Sequence, residues 1–331
     1  LKIPTRAELV EKIFTVRRKV DFEQLCITIF HYQLQNNEIY AAWLKALNYD
    51  TSEVTTMDKI PFLPISFFKT HKVVSAEAPF DVVFSSSGTS GTTTSNHYVK
   101  DVSIYERSFH EGFERIYGNV EDLVIIGLLP SYLERNGSSL IYMCEELIKK
   151  SKQVESGFYL YEFEQLKNVL SILKNKNKKT VLFGVSYALL DFSEIQPAYW
   201  DNLVVIETGG MKGKRKEMIR EELHSEIRNS WPINNLNSEY GMTELLSQAY
   251  LRDGSLFSCP DWMEVKVRDV SDPFQLIGED KTGGLNVIDL ANLDSCSFIA
   301  TQDLGRVFND GKFEVLGRFD HSDSRGCNLL L

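Results

Sequence analysis

The feature that most constrains this chain is an alternation between residues 80 and 245. Short apolar runs (82–84, 123–129, 181–183 and 203–206) are separated by longer stretches of helical character. One of these, 103–117, opens on Ser103 and Glu106 at capping-box spacing. Strands that alternate with helices predict an α/β architecture with largely parallel sheets. After about residue 245 the pattern changes. Strand-like pieces at 247–251, 263–268, 284–289 and 312–316 follow one another closely, separated by Gly and Asp turns, as in a β-rich subdomain. Ahead of both, Val10, Ile13, Phe14, Leu25, Ile29 and Phe30 keep a near-helical period, so 7–46 reads as helical. Pro61, Pro64 and Pro79 break residues 52–80 into what reads as a linking segment. The expected organisation is 1–80 as helical segment and linker, 81–245 as α/β part, and 246–331 as β-rich subdomain. At roughly 150 residues per domain, 331 residues suit about two such bodies.

Charge and cysteine usage exclude some functions. With 36 basic and 46 acidic side chains the net charge is −10, the wrong sign for a protein that coats nucleic acid. The five cysteines (Cys26, Cys144, Cys259, Cys296 and Cys327) are odd in number and far apart, without a Cys-x-x-Cys pair. A disulfide framework or structural zinc site is not expected, and reduced thiols in a cytoplasmic setting are. No apolar run approaches the ~20 residues of a membrane span. The start at Leu1 does not read as a signal peptide, and the lack of an initiator Met leaves earlier native residues open.

Four segments have the residue types for chemistry on a nucleotide. Phe84 to Ser95 (FSSSGTSGTTTS) follows an apolar strand. Its glycines let backbone bend around an anion and its hydroxyls add donors, though it lacks the Gly-Lys-Ser/Thr ending of a Walker loop. Asn237 to Glu244 (NSEYGMTE) follows an expected strand over 231–236. There Tyr240 can lie against a base, Thr243 can reach a phosphate and Glu244 can hold Mg2+. Thr301 to Gly305 (TQDLG) offers Asp303 to the two hydroxyls of a ribose. Residues 316–328 are rich in glycine and charge and carry Cys327. Each segment alone also has an ordinary reading: a Ser/Thr linker, a strand-to-loop transition, a tail cysteine. A competing motif, Gly184-x-Ser186-x-Ala188, approximates the nucleophile elbow of a serine hydrolase without its last glycine, and needs an acid and then a histidine such as His224 or His321.

In this order the segments resemble the adenylate-forming superfamily of acyl-CoA synthetases, luciferase-like enzymes and nonribosomal adenylation domains. The closer resemblance is to LuxE-type acyl-protein synthetases, carried by residues 130–140 (PSYLERNGSSL), 209–215 (GGMKGKR) and 325–329 (RGCNL). It implies an adenylate-forming large domain, with the small lysine-bearing C-terminal domain expected absent, since the chain stops at Leu331 just after the hinge-like Gly317, Arg318 and Asp320. It also implies an ATP-dependent acid–thiol ligase of the long-chain-fatty-acid protein ligase type, with AMP as product and Mg2+ as cofactor. Ser85, Ser86, Ser87, Gly88, Thr89, Ser90, Gly91 and Thr92 would form the phosphate loop. Gly209, Gly210, Tyr240 and Gly241 would enclose the adenine, and Asp303 with Arg318 would hold the ribose. Thr243 would face the α-phosphate, Glu244 would bind the metal, and Cys327 would carry the acyl group. The implied partners are a carboxylic acid and an acyl reductase or acyl-acceptor protein. The alternatives are transfer to CoA or a carrier-protein thiol, and an inactive scaffold that binds a nucleotide or an acid.

Overall fold

The computed structural model describes residues 3–86, 94–130, 137–211, 215, 218–252 and 254–319. Three helices come first: α1 (Arg6–Thr15), α2 (Lys19–Asn36) and α3 (Glu38–Ala46). Helix α1 starts on a full capping box, with Thr5 and Glu8 satisfying each other's backbone donors. The α2 face Phe22, Leu25, Cys26, Ile29, Phe30 turns inward. Within 52–80 the structure departs from a linker. Val54, Met57, Ile60, Phe62, Phe68 and Val73 are buried, and the two-residue strand β1 (Leu63–Pro64) pairs in parallel with a core strand. The short helix α4 (Phe67–Thr70) follows. The prolines break periodicity without removing the segment from the core.

The next strands, β2 (Val82–Ser85) and β3 (Asn96–Val99), form a separate antiparallel hairpin. The apolar run at 82–84 is thus a hairpin arm and not a member of the main sheet. Helix α5 (Val102–Tyr117) is capped by Asp101, whose carboxylate accepts from the Ser103 amide, so the cap lies two residues before the expected Ser103.

The main sheet then assembles from β4 (Val124–Leu128), α6 (Ser139–Ser151), β5 (Gly157–Phe158), α7 (Phe163–Asn175), β6 (Thr180–Val185), α8 (Ser186–Glu194), β7 (Leu203–Thr208), α9 (Arg220–Ser230) and β8 (Leu236–Tyr240). Strands β5, β4, β6, β7 and β8 are parallel in that spatial order. The expected strand at 231–236 is displaced: Trp231 terminates α9, and the strand is Leu236–Tyr240 itself.

From β8 onward the sheet turns antiparallel through β9 (Ala249–Leu251), β10 (Phe257–Ser258), β14 (Phe313–Arg318), β13 (Phe298–Val307), β12 (Thr282–Asp289) and β11 (Met263–Arg268). One twelve-stranded sheet, β1 included, therefore crosses from the parallel half to the antiparallel half at β8. Ligands of open α/β sheets bind beyond the carboxyl ends of their parallel strands. Here that rim carries Thr208 at the end of β7 and Tyr240 at the end of β8. Among the described residues no helix is long and apolar enough to cross a membrane, and Cys26, Cys144, Cys259 and Cys296 are free thiols.

Candidate active site

The site is built around the segment that leaves β8. The Tyr240 hydroxyl donates to Asp303 Oδ2 at 2.8 Å. On the neighbouring strands Asp303 faces Arg318 in register, and Arg318 Nε donates to Asp303 Oδ1 at 3.0 Å. The Asp303 amide donates to Thr301 Oγ1 at 3.1 Å. Tyr240 and Asp303 are buried, whereas the Arg318 side chain is 77% exposed. Burial, and then the Asp303 charge, push the Tyr240 phenol far above its ordinary range, so its proton stays in the bond. A carboxylate has about four lone-pair directions. Asp303 spends one on each neighbour and keeps the others for further donors, which is what a vicinal diol requires. The Tyr240 ring packs against Phe257 and Phe313, which stack on each other.

Past Tyr240 the chain turns. Leu245 N–H bonds to the Met242 carbonyl, and two contacts hold the turn from outside. His97 Nδ1 lies 2.8 Å from the Thr243 carbonyl, and Asn292 donates to the Glu244 carbonyl at 2.8 Å. Downstream, Asp289 accepts from the amides of Leu246 (2.8 Å) and Ser247 (3.0 Å) and from the Ser247 hydroxyl (2.5 Å). Burial raises Asp289 to about 6 despite these three donors and a fourth, the Ala291 amide at 3.2 Å. The Glu244 side chain is buried, and burial raises its pKa; the neighbouring Ser95 side chain opposes that rise. Among the described residues Glu244 has no ion-pair partner within 4 Å, and no three His, Cys, Asp or Glu side chains gather into a cage. A buried carboxylate without a salt bridge fits Mg2+, which binds through one or two carboxylates plus substrate phosphates and retained waters.

The hairpin β2–β3 stands over this turn. Ser85 Oγ donates to Asn96 Oδ1 at 2.8 Å, the Ser86 amide donates to the Ser95 carbonyl at 3.0 Å, and the Ser95 amide donates to Ser86 Oγ at 2.9 Å. The hydroxyls of Ser85 and Ser86 thus close the base of the hairpin. Ser87, Gly88, Thr89, Ser90, Gly91 and Thr92 lie outside the described residues, as does Cys327.

On the other side, Thr208 donates to Glu239 Oε2 at 2.5 Å, tying the end of β7 to the residue before Tyr240. Gly209 follows at φ 77°, a left-handed conformation suited to glycine. A side chain at Gly241 would collide with the Glu239 carboxylate. Burial pushes Glu239 up to about 7, and nearby Glu207 adds to the rise. Sequence reasoning missed Glu239, Glu207 and the role of Ser95. The available signal was period: Asn237, Ser238 and Glu239 are polar in a strand that lies inside the sheet.

The hydrolase alternative is corrected here. Ser186 does sit at a strand-to-helix junction, but it is buried and its hydroxyl donates to Glu207 Oε1 at 2.6 Å. His224 is engaged with Ser238 Oγ at 3.1 Å and burial holds it near 4. Serine and imidazole are thus joined to different partners, without the direct base contact a nucleophile needs. His321 lies outside the described residues.

Solved structures with the same fold include an ATP-bound chimera of MatB and BclM sequences (TM-score 0.53, 15% identity, 72% of this chain and 48% of that one). ATP-bound MatB from Rhodopseudomonas palustris matches similarly (TM-score 0.53, 15% identity, 74% and 50%). A 2-hydroxyisobutyryl-CoA ligase in complex with 2-HIB-AMP and CoA aligns over more of the molecule (TM-score 0.66, 10% identity, 91% and 71%). The chain spans about half the length of the two MatB structures. At these identities the likeness is one of fold, the adenylate-forming α/β fold. No curated protein matches the sequence. The family profile described as acyl-protein synthetase, LuxE, matches residues 15–331. A match of that extent makes this chain a member of the LuxE acyl-protein synthetase family.

Proposed function

We propose that this protein activates a carboxylic acid with ATP as an acyl-adenylate and passes the acyl group to a protein thiol, its own Cys327. The observation that carries the reading is Asp303, a buried carboxylate keyed by Tyr240 and Arg318 beside the Thr243–Glu244 turn. Asp303 takes the ribose hydroxyls, and Gly209, Gly210, Tyr240 and Gly241 border the adenine. The loop of Ser87 to Thr92 receives the β- and γ-phosphates, with Ser85 and Ser86 at its base. Thr243 faces the α-phosphate. Glu244 holds Mg2+, which when bound neutralises phosphate charge.

A carboxylate is a poor acyl donor because oxide is a poor leaving group. One carboxylate oxygen therefore bonds to the α-phosphorus while the bond to the β-phosphate bridging oxygen breaks, and pyrophosphate departs with the electron pair. Placement and charge neutralisation dominate such an in-line displacement. The Cys327 thiolate then attacks the carbonyl carbon. A C–S bond forms, the carbonyl–oxygen bond to AMP breaks, and AMP leaves with that pair; the thiol proton has gone to solvent. An ordinary thiol has a pKa of about 8.5, so Arg325 and a protonated His321 would favour the reactive form.

Tail length supports the cysteine. Phe319, beside Arg318, donates its amide to the Gln302 carbonyl at 2.8 Å, next to Asp303. Cys327 follows eight residues later in sequence. Eight extended residues span at most about 27 Å, so the thiol is tethered within reach of the site at a high effective concentration. We take the acid to be fatty and the onward acceptor to be a reductase or other acyl-acceptor protein, both by family analogy. The division at residues 80 and 245 stands as our proposal for how the chain is organised.

Acid-dependent exchange of labelled pyrophosphate into ATP tests the first step. We expect exchange in the wild type, and in Glu244→Gln a loss of about tenfold or more, the size of effect expected when a charged group is withdrawn from a phosphoryl-transfer site. Absence of exchange across a panel of short, long and aromatic acids would overturn the reading.

A further inference from the structure

The Tyr240–Glu244 segment is tied to the sheet by Glu239 and to the antiparallel half by Asp303 and Asn292. Its tie to the β2–β3 hairpin runs through one arm, where His97, on the same face as Ser95 two residues earlier, reaches the Thr243 carbonyl. His97 is buried at 1% exposure. The Phe68 ring stands edge-on to it with centroids 5.7 Å apart, which limits where the imidazole can turn. A carbonyl oxygen only accepts, so Nδ1 must carry the proton in this contact, and that fixes the tautomer. Backbone fixes the other side of the same arm. The hairpin register is Val82 to Val99, Val83 to Tyr98, Phe84 to His97 and Ser85 to Asn96, and the Ser85 amide donates to the Gly137 carbonyl at 2.8 Å. The loop end of the hairpin therefore cannot shift relative to the Thr243–Glu244 turn unless the His97 bond breaks.

We infer that His97 is a positioning residue: its Nδ1–H to the Thr243 carbonyl sets the β2–β3 hairpin, with Ser85 and Ser86 at its loop end, against the turn bearing Thr243 and Glu244. This rests on the nucleotide-site reading above and adds to it the device that registers two sequence-distant parts of that site, 146 positions apart. His97 does not touch the reacting atoms. Its effect falls on the polyphosphate end of ATP and leaves the acid side alone.

Isosteric amides make the test. Asparagine places an amide nitrogen where the imidazole has Nδ1; glutamine places one where it has Nε2, too far along the side chain for the same bond. His97→Asn, His97→Gln and His97→Leu would be compared in ATP titration calorimetry, pyrophosphate exchange and thermal melting. Expected is an ATP affinity and exchange KM for ATP weakened about tenfold or more in His97→Gln and His97→Leu, with the KM for the acid unchanged. His97→Asn is expected to recover most of that loss. Equal impairment in all three variants, tracking their melting temperatures, would show that His97 merely fills space and would overturn the inference. So would wild-type ATP affinity in His97→Leu. A wild type that neither binds ATP nor exchanges pyrophosphate would instead overturn the nucleotide-site reading and this inference with it. If His97→Leu does not fold, the Asn and Gln pair, both polar and near in volume, decides alone.

Discussion

Asp303 is held by two donors of different burial, the buried Tyr240 phenol and the exposed Arg318 guanidinium. Removing the carboxylate in Asp303→Ala strips the proposed ribose contact and takes from the Tyr240 hydroxyl its acceptor. Hydrogen bonds to charged groups contribute about 1.5–3 kcal/mol, so the KM for ATP should rise by about tenfold to a hundredfold in the exchange reaction, with part of that energy also lost from stability. Glu239 makes a pH prediction. Its folded-state value, about 7, lies above the ordinary glutamate value of 4.5. The folded protein therefore holds this proton more tightly than the unfolded chain does. The associated stability is present in full below pH 4.5 and is lost as pH rises through about 7. Glu239→Gln has no such loss. Its melting temperature relative to wild type should rise between pH 5 and pH 8, by an energy on the order of 2 kcal/mol. A difference independent of pH would contradict the assignment.

At the scale of elements, β13 and β14 change register between Leu304 and Gly305, directly after Asp303. A Cβ at Gly305 would drive into the Glu314 carbonyl on the paired strand and into the Leu285 side chain. Backbone cannot yield as a flexible side chain can, so Gly305→Ala should cost about 1–3 kcal/mol, read as a lower denaturant midpoint, and should weaken ATP binding by moving Asp303. The elements also show what a single sequence reveals. Strands β4, β6 and β7 are buried on both faces, and their continuous apolar runs are legible for that reason. Strand β8 is not: its Asn237, Ser238 and Glu239 bond to the side chains of Tyr117, His224 and Thr208. The apolar residues Trp231 and Ile233 just before it, with Leu236 at its start, drew the expected strand five residues too early. Local rules fail where chemistry is housed. The capping error at α5 has a smaller cause, since Asp101 and Ser103 are both good cap types and only geometry selects Asp101. The motif residues Tyr240, Glu244, Asp303 and Arg318 were legible through their order along the chain. Glu239 and the His97 contact depend on pairings across more than thirty positions and carry no local signature.

At the scale of the molecule, the N-terminal helices are locked to the antiparallel half of the sheet. Gln33 is fully buried on α2, and its amide donates to the carbonyls of Asn292 and Leu293, each at 3.0 Å, while its oxygen accepts from the Ser297 amide at 3.0 Å. Arg6 adds a two-point contact to Asp294. These contacts brace residues 292–297, and Asn292 in turn holds the Glu244 carbonyl. Gln33→Leu is similar in volume and takes their partner from the Leu293 carbonyl and the Ser297 amide, while the Asn292 carbonyl keeps the Ser295 amide. A stability loss of about 1–3 kcal/mol is expected, seen in chemical denaturation, together with reduced pyrophosphate exchange. Stability loss with exchange untouched at a temperature where the protein is folded would separate the brace from the site.

The central claim joins the two halves of a reaction in one chain, and intact-protein mass spectrometry tests it most directly. The protein would be incubated with Mg-ATP and a panel of carboxylic acids, beside Cys327→Ser. The account predicts a mass increase equal to one acyl group, removed by hydroxylamine and absent from Cys327→Ser. Pyrophosphate exchange without any such adduct, or an adduct that persists in Cys327→Ser, would contradict it.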